Sequence, residues 1–575
     1  MYRKSPFVDA GIAICLFMTM AVVIFISAPY RIGFKEQIGI FYWSDFRLLW
    51  YLSNPAVISS IAGDWLTQFL YNNTCGIIIS ILLLALLWLG IIRLSRLTRG
   101  NKPGLTVSLL PVLMSASLVV WPNYPLSALV GIIMSVWMAC LVGHVKNSIL
   151  RTILILLGIP ISFILAGGSF VIFALACIMQ NKGKIRLELL AVVAGLAITF
   201  IFSSFCYYLT VKQTLVYPLT TGYLLPPTVM HYLLPVCVAV CMTVSSFGRH
   251  LIPALVSAAC SVFFVTTICD DILEFSVKVG TLAYRSQWDE VRELASKNLD
   301  TQYGLYYRNL SYAREGKLTD ELLKCDQILL SDGLFLTTAI KGPYLSKFYY
   351  TDALLEMGDI SQTTDCALLA QTSTPGYYST RILRRLSEIS IITGDYAVAS
   401  KYLSILSKTR NHRKWADNLM ACIEKDSIPE YLLVLRARTS SHDRFFDLDD
   451  IRSSLYVISS DNPRNRCAID YLMCSCLLEK DLDNFRFLYD KFWWGGLDRY
   501  YEVPELYQEA LLGDVESEES LKMILQKYNI SDNVQSRFHS FMDIRSMNVA
   551  ALKTHKELQD TYWYYAMTVL ESYTE

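Results

Sequence analysis

The chain has 575 residues, 53% hydrophobic and 18% charged, with a mean hydropathy of +0.36 and 51 basic against 51 acidic residues. Soluble domains carry nearer ~25% charged residues, so a wholly soluble protein is excluded, as are fibrous and disordered classes. The neutral total hides a division near residue 270: residues 1–269 hold 16 Lys/Arg and only five Asp/Glu (Asp9, Glu36, Asp45, Asp64, Glu188), leaving 35 basic and 46 acidic residues beyond. The basic excess falls between apolar runs, which argues against a nucleic-acid partner.

A membrane-spanning helix needs about 20 apolar residues, because unpaired backbone groups are too costly in hydrocarbon. Nine runs approach this: Phe7–Ala28, Cys75–Leu94, Leu105–Val120, Pro125–Val145, Ile149–Leu165, Phe170–Gln180, Leu187–Leu209, Met230–Phe247 and Leu251–Cys269. The sixth is short and follows Gly167-Gly168, so it reads as a crossing or a re-entrant limb. The first is longer than a signal-peptide core and lacks an Ala-x-Ala end, so it reads as a retained span. Short-loop Lys and Arg set orientation. Twelve fall on the N-terminal side and four (Arg31, Lys35, Arg47, Lys212) on the other. The N-terminus is therefore expected in the cytoplasm of an inner-membrane protein, and nine crossings would place the tail in the periplasm.

Between the first two spans, residues 29–74 form more than a polar connector. Phe41 to Leu52, then Asn54-Pro55, then Ala56 to Tyr71 predict two short amphipathic helices on the outer membrane surface, with Trp43, Trp50, Tyr51, Trp65 and Tyr71 suited to the interface. Val211 to Val229 holds Pro218, Gly222, Pro226 and Pro227, which favour an irregular segment.

From Asp270 onward, ordinary amphipathic helices alternate with polar turns, giving a second domain over residues 270–575 after a transmembrane domain over 1–269. A helix–turn–helix theme recurs around Trp288, Gly316, Gly358, Gly394 and Asp481. Its spacing brackets the ~34-residue tetratricopeptide period, and Gly394, Tyr396, Ala399 and Tyr402 resemble that family's second helix. The resemblance implies a helical-repeat solenoid with a concave face for a protein partner. The fold class expected is all-α, a polytopic bundle followed by this tail.

Fifteen cysteines are scattered, and Cys474-x-Cys476 puts two thiols on different faces of a helix, so no metal site is read from them. The seven histidines form no HxxxH or HExxH pair and no phosphate loop or nucleophile elbow is present, so soluble nucleotide chemistry has no visible home and any cofactor is unknown from the sequence. The scarce acids carry more information. Asp45 and Asp64 both fall in the first outer loop, with Arg47 two residues after Asp45. Carboxylates there suit general-base work or metal ligation and an arginine suits a phosphate, while the plainer reading makes them helix caps or solvated surface. Few ionisable residues lie within the spans, which weighs against an ion-coupled transporter.

A cytoplasmic N-terminus, a long acidic first outer loop with amphipathic helices, further spans and a large tail resemble the multispanning GT-C glycosyltransferases over residues 1–269. The resemblance implies transfer of a sugar from a polyprenyl-phosphate donor during envelope glycan assembly. It implies Asp45 as the first-loop acid, with Asp64 as a second catalytic candidate, and Arg47, Lys212 or His231 on the lipid phosphate. The family's adjacent acidic pair is absent, and the second loop has no carboxylate. As a whole the chain also looks like the uncharacterised bacterial multipass membrane families with repeat-containing tails. Two other functions fit the same architecture: a membrane-anchored scaffold recruiting envelope proteins through the tail, and a lipid flippase or transporter.

Overall fold

The computed structural model describes residues 6–99, 105–180, 185–219, 231, 233–238, 264–336, 344–374, 376, 378–440, 450–515, 517–547 and 554–568. Those residues form helices and turns with no strand among them, so the fold is all-α. The chain divides into two compact units. The first comprises Met1–Lys278 together with Gln371–Arg384 and Lys401–Met420, so two short pieces of the tail fold into it. The second comprises Val279–Ala370, Arg385–Ser400 and Ala421–Glu575.

The first unit begins with α1 (Pro6–Ser27), α2 (Pro29–Ile38), α3 (Asp45–Leu52) and α4 (Val57–Thr67), and continues through α5 (Asn73–Arg99), α6 (Leu105–Val120) and α7 (Leu126–Gly143). It is completed by α8 (Ser148–Ala166), α9 (Phe170–Met179), α10 (Ile185–Cys206) and α11 (Val211–Val216). Helix α7 is apolar all round and buried along most of its length, as the central helix of a bundle must be. Around it pack Leu84, Leu87 and Ile91 of α5, Val112 of α6, Ile155 and Ile159 of α8 and Phe173 of α9. The opposite faces are apolar as well: Leu82 and Leu89 of α5, Leu157 of α8 and Leu190 and Val193 of α10 are exposed. Water would penalise such surfaces, whereas hydrocarbon would not.

The nine expected crossings are not found. Among the described residues four stretches are long and apolar enough to cross a bilayer, Asn73–Thr98, Leu126–Gly143, Ser148–Met179 and Arg186–Cys206. A fifth counts if Ala13–Ser27 and Pro29–Ile38, bent by 76°, make one broken span. Leu105–Val120 is apolar but has only 16 residues. The fifth and sixth runs share the single stretch Ser148–Met179, which turns back on itself at Gly167–Ser169. Gly158 lies against the Phe173 ring although 15 positions separate them, and the Phe163 and Phe170 rings are 5.7 Å apart. A straight helix would hold the first pair about 22 Å apart at 1.5 Å per residue. The returning limb α9 has 10 residues, about 15 Å and half a bilayer core. The runs Met230–Phe247 and Leu251–Cys269 lie largely outside the described residues.

The second unit is a set of helices joined by tight turns. At each of the five predicted turns one residue adopts a left-handed backbone: Ser286, Gly316, Gly358, Gly394 and Lys480 have φ between 59° and 82°. That conformation ends a helix and releases the chain into the next. The core is unusually rich in tyrosine paired with carboxylate. Tyr307 donates to Asp352 at 2.9 Å, and Tyr507 to Asp470 at 2.8 Å. Arg385 and Arg466 neutralise those two acids, while Arg314 and Arg438 flank buried Glu356. Buried charge is tolerable on these terms because every carboxylate has a donor.

Candidate functional site

Residues 29–74 hold the first unit's polar machinery, starting with α2. Pro29 occupies the first helical position, where its missing N–H costs nothing. Every charged side chain of α2 is then buried and tied to a distant part of the chain. Arg31 donates to the carbonyls of Thr267 at 2.6 Å and of Asp270, and pairs with Glu274 at 3.3 Å. Lys35 donates to the carbonyl oxygens of Trp121 and of Tyr124, the latter at 2.6 Å. Glu36 Oε1 meets His412 Nε2 at 2.9 Å and accepts from Asn411 Nδ2 at 3.1 Å. Gln37 accepts from Arg381 at 3.0 Å, and Thr380 Oγ1 donates to the Glu36 carbonyl at 2.8 Å.

Helix α3 starts on Ser44, whose hydroxyl accepts from the Arg47 backbone N–H. Asp45 is its first residue, exposed, with no hydrogen bond or ion pair among the described residues. It sits where a carboxylate favours the helix dipole. Arg47 and Tyr51, four apart, share the opposite, buried side. Both converge on Asp64 of α4: Arg47 Nη2 lies 3.2 Å and Tyr51 Oη 2.7 Å from Asp64 Oδ2. The acid that the structure gives Arg47 is therefore Asp64 and not its near neighbour Asp45.

The Arg47 guanidinium is 2% exposed and enclosed by aromatic rings, 4.3 Å from the Trp50 centroid, 4.9 Å from Tyr51 and 5.9 Å from Tyr378. Gly376, with φ +68°, brings the tail segment close over this pair; a Cβ there would lie 2.9 Å from the Trp50 ring. Nη2 is occupied, but Nε and Nη1, both buried, have no hydrogen-bond partner among the described residues. Two unmet charged donors are a costly omission unless something else accepts from them. Burial pushes the Asp64 carboxyl above the ordinary carboxylate range, against the pull of Arg47. No hydrogen bond reaches its Oδ1 among the described residues.

Asp64 also lines a small polar cleft with Glu36, Thr67, Gln68, Thr380 and Arg410, about 240 Å³ including its open mouth. Phe41 is common to this cleft and to an apolar groove of about 680 Å³, open solvent included, formed with Trp43, Ile58, Ile61, Ala62 and Trp65. The remaining sequence candidates lie apart from one another in bonding. Lys212 is exposed on α11 without an ion pair among the described residues. His231 is buried, its Nδ1 3.1 Å from the Tyr124 hydroxyl, on the residue whose carbonyl holds Lys35. Among the described residues no group of three or more His, Cys, Asp or Glu could hold a metal ion.

Sequence reasoning missed Glu36, Tyr51, Tyr378, Asn411 and His412. Only Tyr51 had a local signal, its four-residue spacing from Arg47. The match of the Family of unknown function (DUF6057) to residues 4–569 covers nearly the whole chain, which therefore belongs to that family. No curated protein and no solved structure matches it.

Proposed function

We propose that this family member is an inner-membrane, multispanning protein that binds the phosphate of a lipid-linked sugar at its first outer loop and transfers the sugar, in the manner of GT-C glycosyltransferases. One observation carries the reading: a buried arginine with two nitrogens unpartnered among the described residues, fixed beside a carboxylate that retains one open oxygen. An arginine fork suits a phosphate. Asp64 takes the role that the sequence assigned first to Asp45. In the proposed step, an acceptor hydroxyl oxygen bonds the anomeric carbon while that carbon's bond to the phosphate oxygen breaks. Asp64 receives the hydroxyl proton, and the phosphate leaves with the electron pair, its charge met by Arg47.

Counted over the crossings expected from the sequence, the Lys and Arg bias favours a cytoplasmic N-terminus and an extracytoplasmic loop. The tail pieces 371–384 and 401–420 fold against that loop within one unit, which supports a periplasmic tail more directly than any tally of crossings. The test is transfer by the full-length protein in vesicles containing a radiolabelled polyprenyl-phosphate-linked sugar. Asp64→Asn should lower the rate about 10²–10⁴-fold, the usual worth of a general base, and Asp45→Asn should leave it unchanged. Undiminished transfer by Asp64→Asn overturns the assignment.

A second reading, a scaffold whose tetratricopeptide-like tail recruits an envelope protein, is favoured by the exposed Phe487, Trp494, Tyr500 and Tyr501 of the second unit. Aromatic side chains are enriched in protein interfaces. Loss of partner capture on replacing Tyr500 and Tyr501 with serine, with transfer absent from the wild type, would decide for it.

A further inference from the structure

The polarity of α3 is inverted relative to a helix on a water-soluble protein. Its basic residue Arg47 and its phenol Tyr51 point inward, while Phe46, Leu49 and Leu52 are 64%, 62% and 56% exposed, and Asp45 at the first position is the helix's one exposed charge. Helix α4 shows the same inversion. Its inward residues are Ser59, Ser60 and Gly63, and its outward ones include Ile58 and Trp65. Gly63 lies so close to α7 that a Cβ would sit 2.4 Å from the Ser127 backbone nitrogen. Small residues at a close helix crossing, with large apolar residues outside, are the arrangement of helices packed within lipid. Trp43 stands at the start of this face, 63% exposed, and indole rings favour the level of the lipid headgroups.

Exposed to water, each of these large side chains would leave apolar surface unburied at a cost that hydrocarbon does not impose. No exposed lysine or arginine rims α3 or α4, since Arg47 is their one basic residue and is buried. The face is also continuous with an apolar bundle, because α4 packs directly on α7, one of the stretches able to cross a bilayer. The groove between Phe41, Trp43, Ile58, Ile61, Ala62 and Trp65 opens on these helices and is lined by carbon-rich side chains alone. Its volume of about 400 Å³, open solvent excluded, lies within the ~300–1,000 Å³ of small-ligand pockets.

We infer that α3 and α4 are immersed in the membrane leaflet next to the spans, and that the groove between Phe41 and Trp43 on one side and α4 on the other holds one hydrocarbon chain of a bilayer lipid. The inference does not rest on sugar transfer, since lipid immersion and chain binding are read without any acceptor or donor sugar. Through Phe41, a chain in the groove would place its headgroup beside the polar cleft.

The test uses the full-length protein in phosphatidylcholine nanodiscs, with an environment-sensitive fluorescent amino acid at Leu49, at Trp65 or, for comparison, at exposed Lys317. Brominated lipid should quench the first two at least twofold and leave position 317 unchanged, and aqueous iodide should do the reverse. Native mass spectrometry then counts lipids retained by the wild type and by Ala62→Trp, which fills the groove; the count should fall by one. Iodide quenching at Leu49 equal to that at Lys317 overturns the immersion. An unchanged lipid count in Ala62→Trp, with the variant as monodisperse as the wild type, overturns the chain site. Either result leaves the transfer assay to stand or fall separately.

Discussion

Changing Asp64 to asparagine keeps the shape of the α3–α4 wall but removes the charge that Arg47 faces. Arg47 is 2% exposed, and its other hydrogen bond, to the Ile40 carbonyl, is 3.5 Å long. Two charge-assisted hydrogen bonds are weakened, each worth about 1.5–3 kcal/mol. Breaking a fully buried ion pair costs about 3–5 kcal/mol. Asp64 keeps partial access to solvent and the Trp50 ring still offers Arg47 about 0.5–2 kcal/mol, so a net loss of about 3 kcal/mol is expected. Replacing Arg47 with methionine removes the buried charge and lets Asp64 hydrate, so that variant and the double variant should each lose only about 1 kcal/mol, leaving a coupling of about 3 kcal/mol. Hydrogen exchange of the α3 amides in nanodiscs reads these values directly, as roughly 10²-fold faster exchange for Asp64→Asn at 1.4 kcal/mol per decade. Less than a tenfold change, or additive single variants, would refute the argument that Asp64 neutralises Arg47.

Three further outcomes follow from the same structure. Gly63→Val forces a side chain into the Ser127 backbone; overpacking of this kind costs about 1–3 kcal/mol, so the variant should lose monodispersity on size exclusion while Gly11→Ala, whose added Cβ meets nothing within 4 Å, should not. His412→Ala removes a buried partner of Glu36 and should destabilise the docking of residues 401–420 by about 1–3 kcal/mol, seen as faster proteolysis within that segment; wild-type resistance there would count against the contact. Burial pushes the Glu509 carboxyl up to about 8, against the pull of the Tyr562 N–H and Arg537. Its folded value is thus raised above the ordinary carboxylate range, so its stabilising contribution is complete below about pH 4.5 and is lost as pH rises through 8. Exchange of Tyr562–Thr568, corrected for intrinsic rates, should accelerate over that window in the wild type and stay level in Glu509→Gln; equal slopes would remove Glu509 as the cause.

The helical character of both units was legible because long apolar runs and amphipathic periods have few other solutions. The turns at Gly316, Gly358 and Gly394 were legible for a backbone reason, and the Lys480 turn was found through its neighbour Asp481. The number of crossings was overread where short apolar runs were counted in full: Phe170–Gln180, whose length and preceding Gly167-Gly168 marked a reversal, and Leu105–Val120, with only 16 residues. The sequence puts Arg47 two residues after Asp45, and residues two apart on a helix point in different directions. Asp64, seventeen positions on and across Asn54-Pro55, is brought back by the α3–α4 turn. The Glu36–His412 contact joins residues 376 positions apart, and nothing local in either segment announces it.

Helix α2 has a consequence for how the molecule is made. It leaves the ribosome within the first forty residues, yet the groups that satisfy Arg31, Gln37 and Glu36 are synthesised only at positions 267–274, 381 and 411–412. Until then its charges must remain hydrated, so this corner of the protein closes late, after most of the polypeptide exists. Chains that stop short of residue 412 carry an unfinished junction, a mark by which quality-control proteases could distinguish incomplete products from finished ones.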